Sequence, residues 1–248
     1  MPQRVLVTGG ATGLGAAIVR ALAAAGHDVL FTFRSSAGAA AALADELRAA
    51  GASVSAEPLD LSDRAALDAF CERLEGEVFF GLVHNAGQSY DALAAVMAQA
   101  RAEEAMQVNF WSLTRLAKAA LRGMVRARTG RIVAIGSVAA ERGNPGNAAY
   151  AASKGALLSY CRTLAIETAR RGISVNVVAP GFVDTAMMAP YAAHRTAMER
   201  QIPAGRFARP EEVAALVRFL LTEPAGYVTG AVLPVDGGLT AMLGVQRT

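Results

Sequence analysis

Short apolar runs and longer runs of small residues alternate along the whole chain. Residues 4–8 (RVLVT), 28–33 (DVLFTF), 53–59 (SVSAEPL), 79–84 (FFGLVH), 130–137 (GRIVAIGS), 173–179 (ISVNVVA) and 231–235 (AVLPV) carry the β-branched and aromatic residues typical of strands. Several are apolar at consecutive positions, the pattern of a strand covered by helices on both faces. Between them, residues 14–25, 38–50, 63–75, 102–127, 150–171 and 210–222 show helical spacing, rich in alanine, the best helix former. Seven strands alternating with helices predict an α/β fold with a doubly wound, seven-stranded parallel sheet and helices on both faces. Residues 185–206 break this rhythm and read as a mobile lid over a substrate.

The composition permits a large core: of 248 residues, 53% are hydrophobic and 18% charged. A formal net charge of +3, scattered along the chain, argues against a nucleic-acid partner. The two cysteines, Cys71 and Cys161, fall within helical patterns and form neither a disulfide framework nor a metal-ligand spacing. His27, His84 and His194 do not cluster, so no metal site is expected. The start, MPQRVLVTGG, lacks the cationic and long apolar segments of a signal peptide. No uninterrupted 18-residue apolar run reads as a membrane span, and a cytoplasmic protein is expected.

Two features then point to chemistry. The first strand runs into TGGATGLG, with Gly9, Gly13 and Gly15 at a strand-to-helix turn. Glycine permits tight backbone there, and the free N–H groups of a helix start attract a pyrophosphate, so the turn is a candidate dinucleotide site. After the second strand comes Arg34-Ser35-Ser36 with no carboxylate, which favours NADP(H) because an arginine accommodates a 2′-phosphate. The other feature is Tyr150 and Lys154, spaced to share one helix face within an otherwise apolar stretch. Alone, such a pair reads as an amphipathic tyrosine and a snorkelling lysine at a core edge.

Taken together, TGGATGLG at Thr8–Gly15, NAG at Asn85–Gly87, Asn109, Ser137, YAASK at Tyr150–Lys154 and PG at Pro180–Gly181 resemble, in type and order, the short-chain dehydrogenase/reductase family. Within it the chain is most similar to the 3-oxoacyl-acyl-carrier-protein reductases, through IVAIGSVAAERGNPGNAAYAASKGAL and GYVTGAVLPVDGGL. The resemblance implies a single Rossmann-type, NADP-binding catalytic domain over residues 1–248. It implies catalytic roles for Asn109, Ser137, Tyr150 and Lys154, with Asn109 holding a water in a proton relay. Cofactor contacts are implied for Gly9, Thr12, Gly13, Leu14, Gly15, Arg34, Ser35, Asp60, Leu61, Asn85, Ala86, Gly87, Tyr150, Lys154, Pro180, Gly181, Val183 and Thr185.

Ketone reduction needs a hydride on carbon and a proton on oxygen. A free phenol, with pKa about 10, is a weak proton donor at neutral pH, and the neighbouring ammonium and a nicotinamidium charge are together expected to bring it down. The resemblance also implies a homotetramer in which the helices over 102–127 and 150–171 pair, with Ala151, Ala152, Leu158 and Cys161 as candidate contacts. An acidic acyl carrier protein is the implied partner, docked on Arg128 and Arg171, with Arg126 and Arg170 beside them. Cations of this kind are expected beside the pocket. Two departures stand out. Ala11-Thr12 occupies the place where many NADP-dependent relatives carry a basic residue, and QSYD (Gln88 to Asp91) stands where carrier-protein reductases read ITRD. The resemblance implies NADPH-dependent reduction of a carrier-bound 3-oxoacyl thioester to the 3-hydroxyacyl form, in fatty-acid or polyketide/polyene-type synthesis; two other readings are a reductase or dehydrogenase of a free small-molecule ketone or alcohol, and a non-catalytic NADP-sensing subunit.

Overall fold

The computed structural model describes residues 2–242. Seven parallel strands form one sheet in the order β3-β2-β1-β4-β5-β6-β7. They are β1 (Arg4–Thr8), β2 (Asp28–Phe33), β3 (Val54–Pro58), β4 (Gly81–His84), β5 (Gly130–Ile135), β6 (Ile173–Pro180) and β7 (Val232–Val235). The chain winds outward from β1 to β3, then returns to place β4 on the other side of β1. This reversal opens a crevice beyond the carboxyl ends of β1 and β4, where open α/β sheets bind ligands.

Helices cover both faces because successive strand residues point to opposite sides. Leu6, Leu82, Ile132 and Val175 pack under α3 (Arg64–Glu75), α5 (Ser112–Ala127) and α6 (Ala148–Thr168). Val5, Val7, Val29, Val133 and Val178 pack under α1 (Gly13–Ala24), α2 (Ala37–Ala49) and α8 (Pro210–Leu220). Each fully buried Leu or Val in these two layers stabilises the fold by about 1.5–3 kcal/mol. All eight residues of β6 are buried, whereas the edge strand β7 is only partly covered and accommodates Pro234, which has no N–H to give a ladder.

Residues 99–127 are almost continuously helical but not uniformly so. A helix, α4 (Gln99–Met106), joins α5 through a π-turn at Gln107–Trp111. Strand β5 ends at Ile135, two residues before the expected boundary, so Ser137 lies in the turn beyond it. The segment 185–206 holds a 3₁₀ run, Ala186–His194, and a short helix, α7 (Arg195–Glu199). Among the described residues no helix is long and apolar enough to cross a membrane, and none forms a metal-ligand group of three or more His, Cys, Asp or Glu.

Gly15 tests how the first turn is built. A Cβ there would overlap the Gly9 carbonyl oxygen and lie 2.7 Å from Asn85 Nδ2. Helix propensity alone favours alanine at this position by about 1 kcal/mol, but the overlap is with backbone that cannot move aside. Gly15→Ala is therefore expected to destabilise by roughly 2–3 kcal/mol in urea unfolding. Gly38, in α2, has nothing within 4 Å of the place where a methyl group would sit. Gly38→Ala is expected to stabilise by up to about 1 kcal/mol.

Candidate active site

The candidate residues meet at the carboxyl ends of the strands. Gly9 and Gly13 adopt left-handed backbone, with φ of 66° and 52°. Asn85, which follows β4, fastens this turn: its Nδ2 donates to the Thr8 and Gly9 carbonyls at 3.1 and 3.0 Å. Thr8 Oγ1 in return accepts from the Asn85 and Ala86 N–H groups. A turn of bare backbone at a helix start, with no Cβ at three positions, is a cradle that fits a pyrophosphate. Thr12 and Gly13 are exposed at its rim and Leu14 is half-buried. Thr185 reaches the same turn from the start of the 185–206 segment, with its side chain 3.4 Å from where a Gly13 Cβ would sit.

Arg34 and Ser35 are exposed just beyond β2, next to the turn, since the Gly10 N–H bonds the Thr32 carbonyl at 2.8 Å. Arg34 makes no ion pair among the described residues. Asp60 follows β3 and uses one oxygen to accept from Ser62 N and Oγ. Leu61 departs from a side-chain role: it is buried in the core and its carbonyl accepts from Gln107 Nε2. Its N–H is the group it has left for a ligand. Val183 is likewise buried, bridged to Ala208 beside the nearby Pro180-Gly181 turn.

Ser137, Tyr150, Lys154 and Asn109 lie around one point. The Ser137 hydroxyl lies beside the Tyr150 phenol and favours its ionised form, and it accepts from Ala139 N–H at 3.1 Å. Lys154 Nζ lies 5.8 Å from the centre of the Tyr150 ring and donates to the Ile135 carbonyl at 2.7 Å. Asn109, fully buried on the π-turn, accepts from Gln88 N–H at 2.8 Å and donates to the Gln88 carbonyl and Ser153 Oγ. Gly87 completes the cluster: a Cβ there would sit 3.3 Å from both Asn109 Oδ1 and Lys154 Nζ.

The electrostatics correct one expectation. By the chain's own groups the Tyr150 phenol is pushed up, not down: burial dominates, the neighbouring Ser137 hydroxyl opposes it and the Asp91 carboxylate adds to it. Burial also lowers Lys154, to about 8. The chain's own groups therefore keep Tyr150 as a neutral phenol, an acid with its proton in place.

Two groups emerge that the sequence pattern did not single out. Ser153, between Tyr150 and Lys154, accepts from Asn109 and donates to the Tyr150 carbonyl at 2.7 Å. Asp91, the last residue of the QSYD departure, joins three loops. It accepts from Ser89, from Asn147 at the start of α6 (2.6 Å) and from the Tyr191 hydroxyl on the lid.

The arginines do not lie where expected. Arg128 Nη2 donates to the Arg170 backbone carbonyl at 3.3 Å, so the segments that end α5 and α6 do meet. They meet at the carboxyl end of α6, however, whereas Tyr150 is at its start, and a 21-residue helix is about 30 Å long. Within one chain they are not beside the pocket. Leu158 and Cys161 are buried inside the chain rather than offered to a partner, while Ala152 is exposed.

Comparison with known proteins follows the same outline. The family model for enoyl-(acyl carrier protein) reductase matches residues 9–240. The 3-oxoacyl-(acyl-carrier-protein) reductase FabG of Escherichia coli (strain K12) is 41% identical over 239 residues, covering 94% of this chain and 96% of that protein. A structure from Beutenbergia cavernae, described as an NAD(P)-dependent gluconate 5-dehydrogenase with bound NADP, superposes with a TM-score of 0.93 at 37% identity, covering 97% of each chain. A variant of actinorhodin polyketide ketoreductase with NADPH gives 0.91 at 30% identity, covering 97% of this chain and 98% of that one.

The buried ammonium generates a measurable signature. Lys154 titrates near 8 in the folded chain, against an ordinary value of 10.5 for the free group. Between those values the unfolded chain binds more protons, so this group's contribution to stability rises with pH. At pH 7 the charged form costs the fold on the order of 1–3 kcal/mol. Lys154→Met is expected to be more stable than the wild type at pH 7 by that order, with the advantage shrinking between pH 8 and 10.5. Urea titrations of both proteins across this range measure the difference, from which the other titrating groups cancel.

Proposed function

Because the chain belongs to the short-chain dehydrogenase/reductase family, we propose that it reduces a 3-oxoacyl thioester on an acyl carrier protein to the 3-hydroxyacyl form, using NADPH. The observation that carries this reading is the juxtaposition of the Ser137 and Tyr150 hydroxyls beyond the end of β5. Two hydroxyls converging on one point suit a carbonyl oxygen, which accepts two hydrogen bonds and gathers charge as it is reduced. This favours a ketone over the carbon–carbon double bond named in the family model's description.

Ser137 orients the carbonyl oxygen, and Tyr150, kept protonated by its surroundings, gives that oxygen its proton. Bound NADPH supplies the hydride to the carbonyl carbon. Lys154, anchored on Ile135, lies behind Tyr150, where its ammonium stabilises the phenolate left by proton transfer. Asn109 adjoins Gly87 and Lys154 and is placed to hold the water through which Tyr150 is reprotonated. The glycine turn with Thr12, Leu14 and Thr185 would hold the cofactor's pyrophosphate. Arg34, Ser35, Asp60 and the Leu61 N–H would receive its adenosine half, and Asn85 to Gly87 and Pro180 to Val183 its nicotinamide half.

Carrier docking on Arg128 and Arg171 implies delivery across the length of α6, or to the site of a neighbouring chain. The homotetramer is thus part of the docking reading. Trp111 on the π-turn and Ile166 on α6, 48% and 82% exposed, support pairing of these helices between chains. A second reading, a dehydrogenase of a free polar alcohol, is favoured by the superposition on the gluconate dehydrogenase and by the QSYD segment.

Turnover of an acyl-carrier thioester against a small free ketone separates the two readings. Carrier substrate is expected to be preferred, and Tyr150→Phe is expected to lose at least about a hundredfold in kcat on both, since general acid catalysis contributes 10²–10⁴. Arg128→Glu and Arg171→Glu are expected to weaken turnover of the carrier substrate alone, more at low salt than at high salt. Loss on both substrates would sink the docking role. Arg34→Ala is expected to reduce the kcat/KM preference for NADPH over NADH by roughly tenfold, the worth of one charge-assisted phosphate contact. A wild type indifferent between the two cofactors would remove Arg34 from that role.

A further inference from the structure

The π-turn at Gln107–Trp111 needs an explanation, because it costs a backbone hydrogen bond. In an α-helix the Ser112 N–H would donate to the Val108 carbonyl. Here it donates to Gln107 instead. The Val108 carbonyl is taken up by the Ser112 side chain, whose Oγ–H donates to it at 2.7 Å. With its one proton used, Ser112 Oγ can only accept from its other close neighbour, His84 Nε2, at 2.8 Å. Both His84 and Ser112 have no exposed surface.

This sets the state of His84. Nε2 carries the proton, and Nδ1 is a bare lone pair, buried without a partner. Burial and the nearby Lys154 charge hold the imidazole at about 3, so it stays neutral at any working pH. His84 is also the last residue of β4, paired with Thr8 on one side and Ala134 on the other. It is fixed by the centre of the sheet, one residue before Asn85. The chain His84–Ser112–Val108 thus runs from the sheet into the extra residue of the helix, which is the one that turns Asn109 toward Gln88 and Ser153.

We infer that His84 and Ser112 are positioning residues: they hold open the π-turn that presents Asn109 beside Lys154. The inference rests on the relay role proposed for Asn109. Neither residue has surface open to the crevice where substrate and cofactor would lie. Their effect is geometric, and displacements of about 1 Å at such a site cost up to a hundredfold in rate.

The test uses His84→Leu, which lacks the donor, His84→Gln, which keeps one, and Ser112→Ala. Steady-state kinetics, NADPH affinity and hydrogen exchange of amides 107–113 are measured on each. His84→Leu and Ser112→Ala are expected to lower kcat at least about tenfold with KM and cofactor affinity within about twofold, and His84→Gln to recover most of it. Exchange should quicken at 107–113 and stay unchanged in the rest of α5. Unchanged kcat with unchanged exchange overturns the inference. So does parallel loss of kcat, cofactor affinity and protection along all of α5 without rescue by glutamine, which marks a purely structural role. If the wild type turns over no ketone at all, the functional reading fails separately. Local quickening at 107–113 in Ser112→Ala then still upholds the support of the π-turn, and its absence overturns it.

Discussion

An ammonium enclosed in the protein and tied to a single carbonyl is the constraint around which the site is arranged. Lys154 is buried and bonds Ile135, the last residue of β5. For that bond to form, α6 must cross the sheet so that its second turn lies over the end of β5. Tyr150, one turn earlier, is then carried to Ser137 in the turn beyond the strand. A Cβ at Gly87 would press on Asn109 and Lys154 together, and both would have to yield by a few tenths of an ångström to admit it. The burial that lowers Lys154 also raises Tyr150, so one desolvated pocket produces a cation near its neutral point and a phenol that keeps its proton.

The sheet's direction does the rest. All seven strands are parallel, so every strand-to-helix turn opens on the same edge. The glycine turn, Arg34, Asp60, Asn85, Ser137 and Pro180 come from six different strands, and they converge only because the strands do not alternate in direction. The same regularity separates the arginines from the site. A helix that begins at the carboxyl edge must end at the other, and Arg170 and Arg171 close the helix that Tyr150 opens.

Much of this was legible beforehand, for identifiable reasons. The strands could be read because both faces are covered, which leaves uninterrupted apolar runs such as ISVNVVA. The glycine turn and the Tyr150–Lys154 pair could be read because their chemistry depends on local spacing, which sequence records directly. The π-turn could not: one extra residue barely shifts a 3.6-residue period, and its cause lies in His84, on another element. Which faces of Leu158 and Cys161 point inward was also hidden, since α6 is apolar nearly all round. The rise in Tyr150 was missed because desolvation depends on the whole surrounding fold, whereas the ammonium was visible four positions away.

Asp91 gathers Ser89, Asn147 and Tyr191 onto one side chain, and with them the loop after β4, the start of α6 and the 3₁₀ run Ala186–His194. None of the three can shift far without breaking a bond to that one carboxylate. Stretches of chain that lie far apart in sequence are thus moored at a single post, and one substitution at Asp91 would cast off all three.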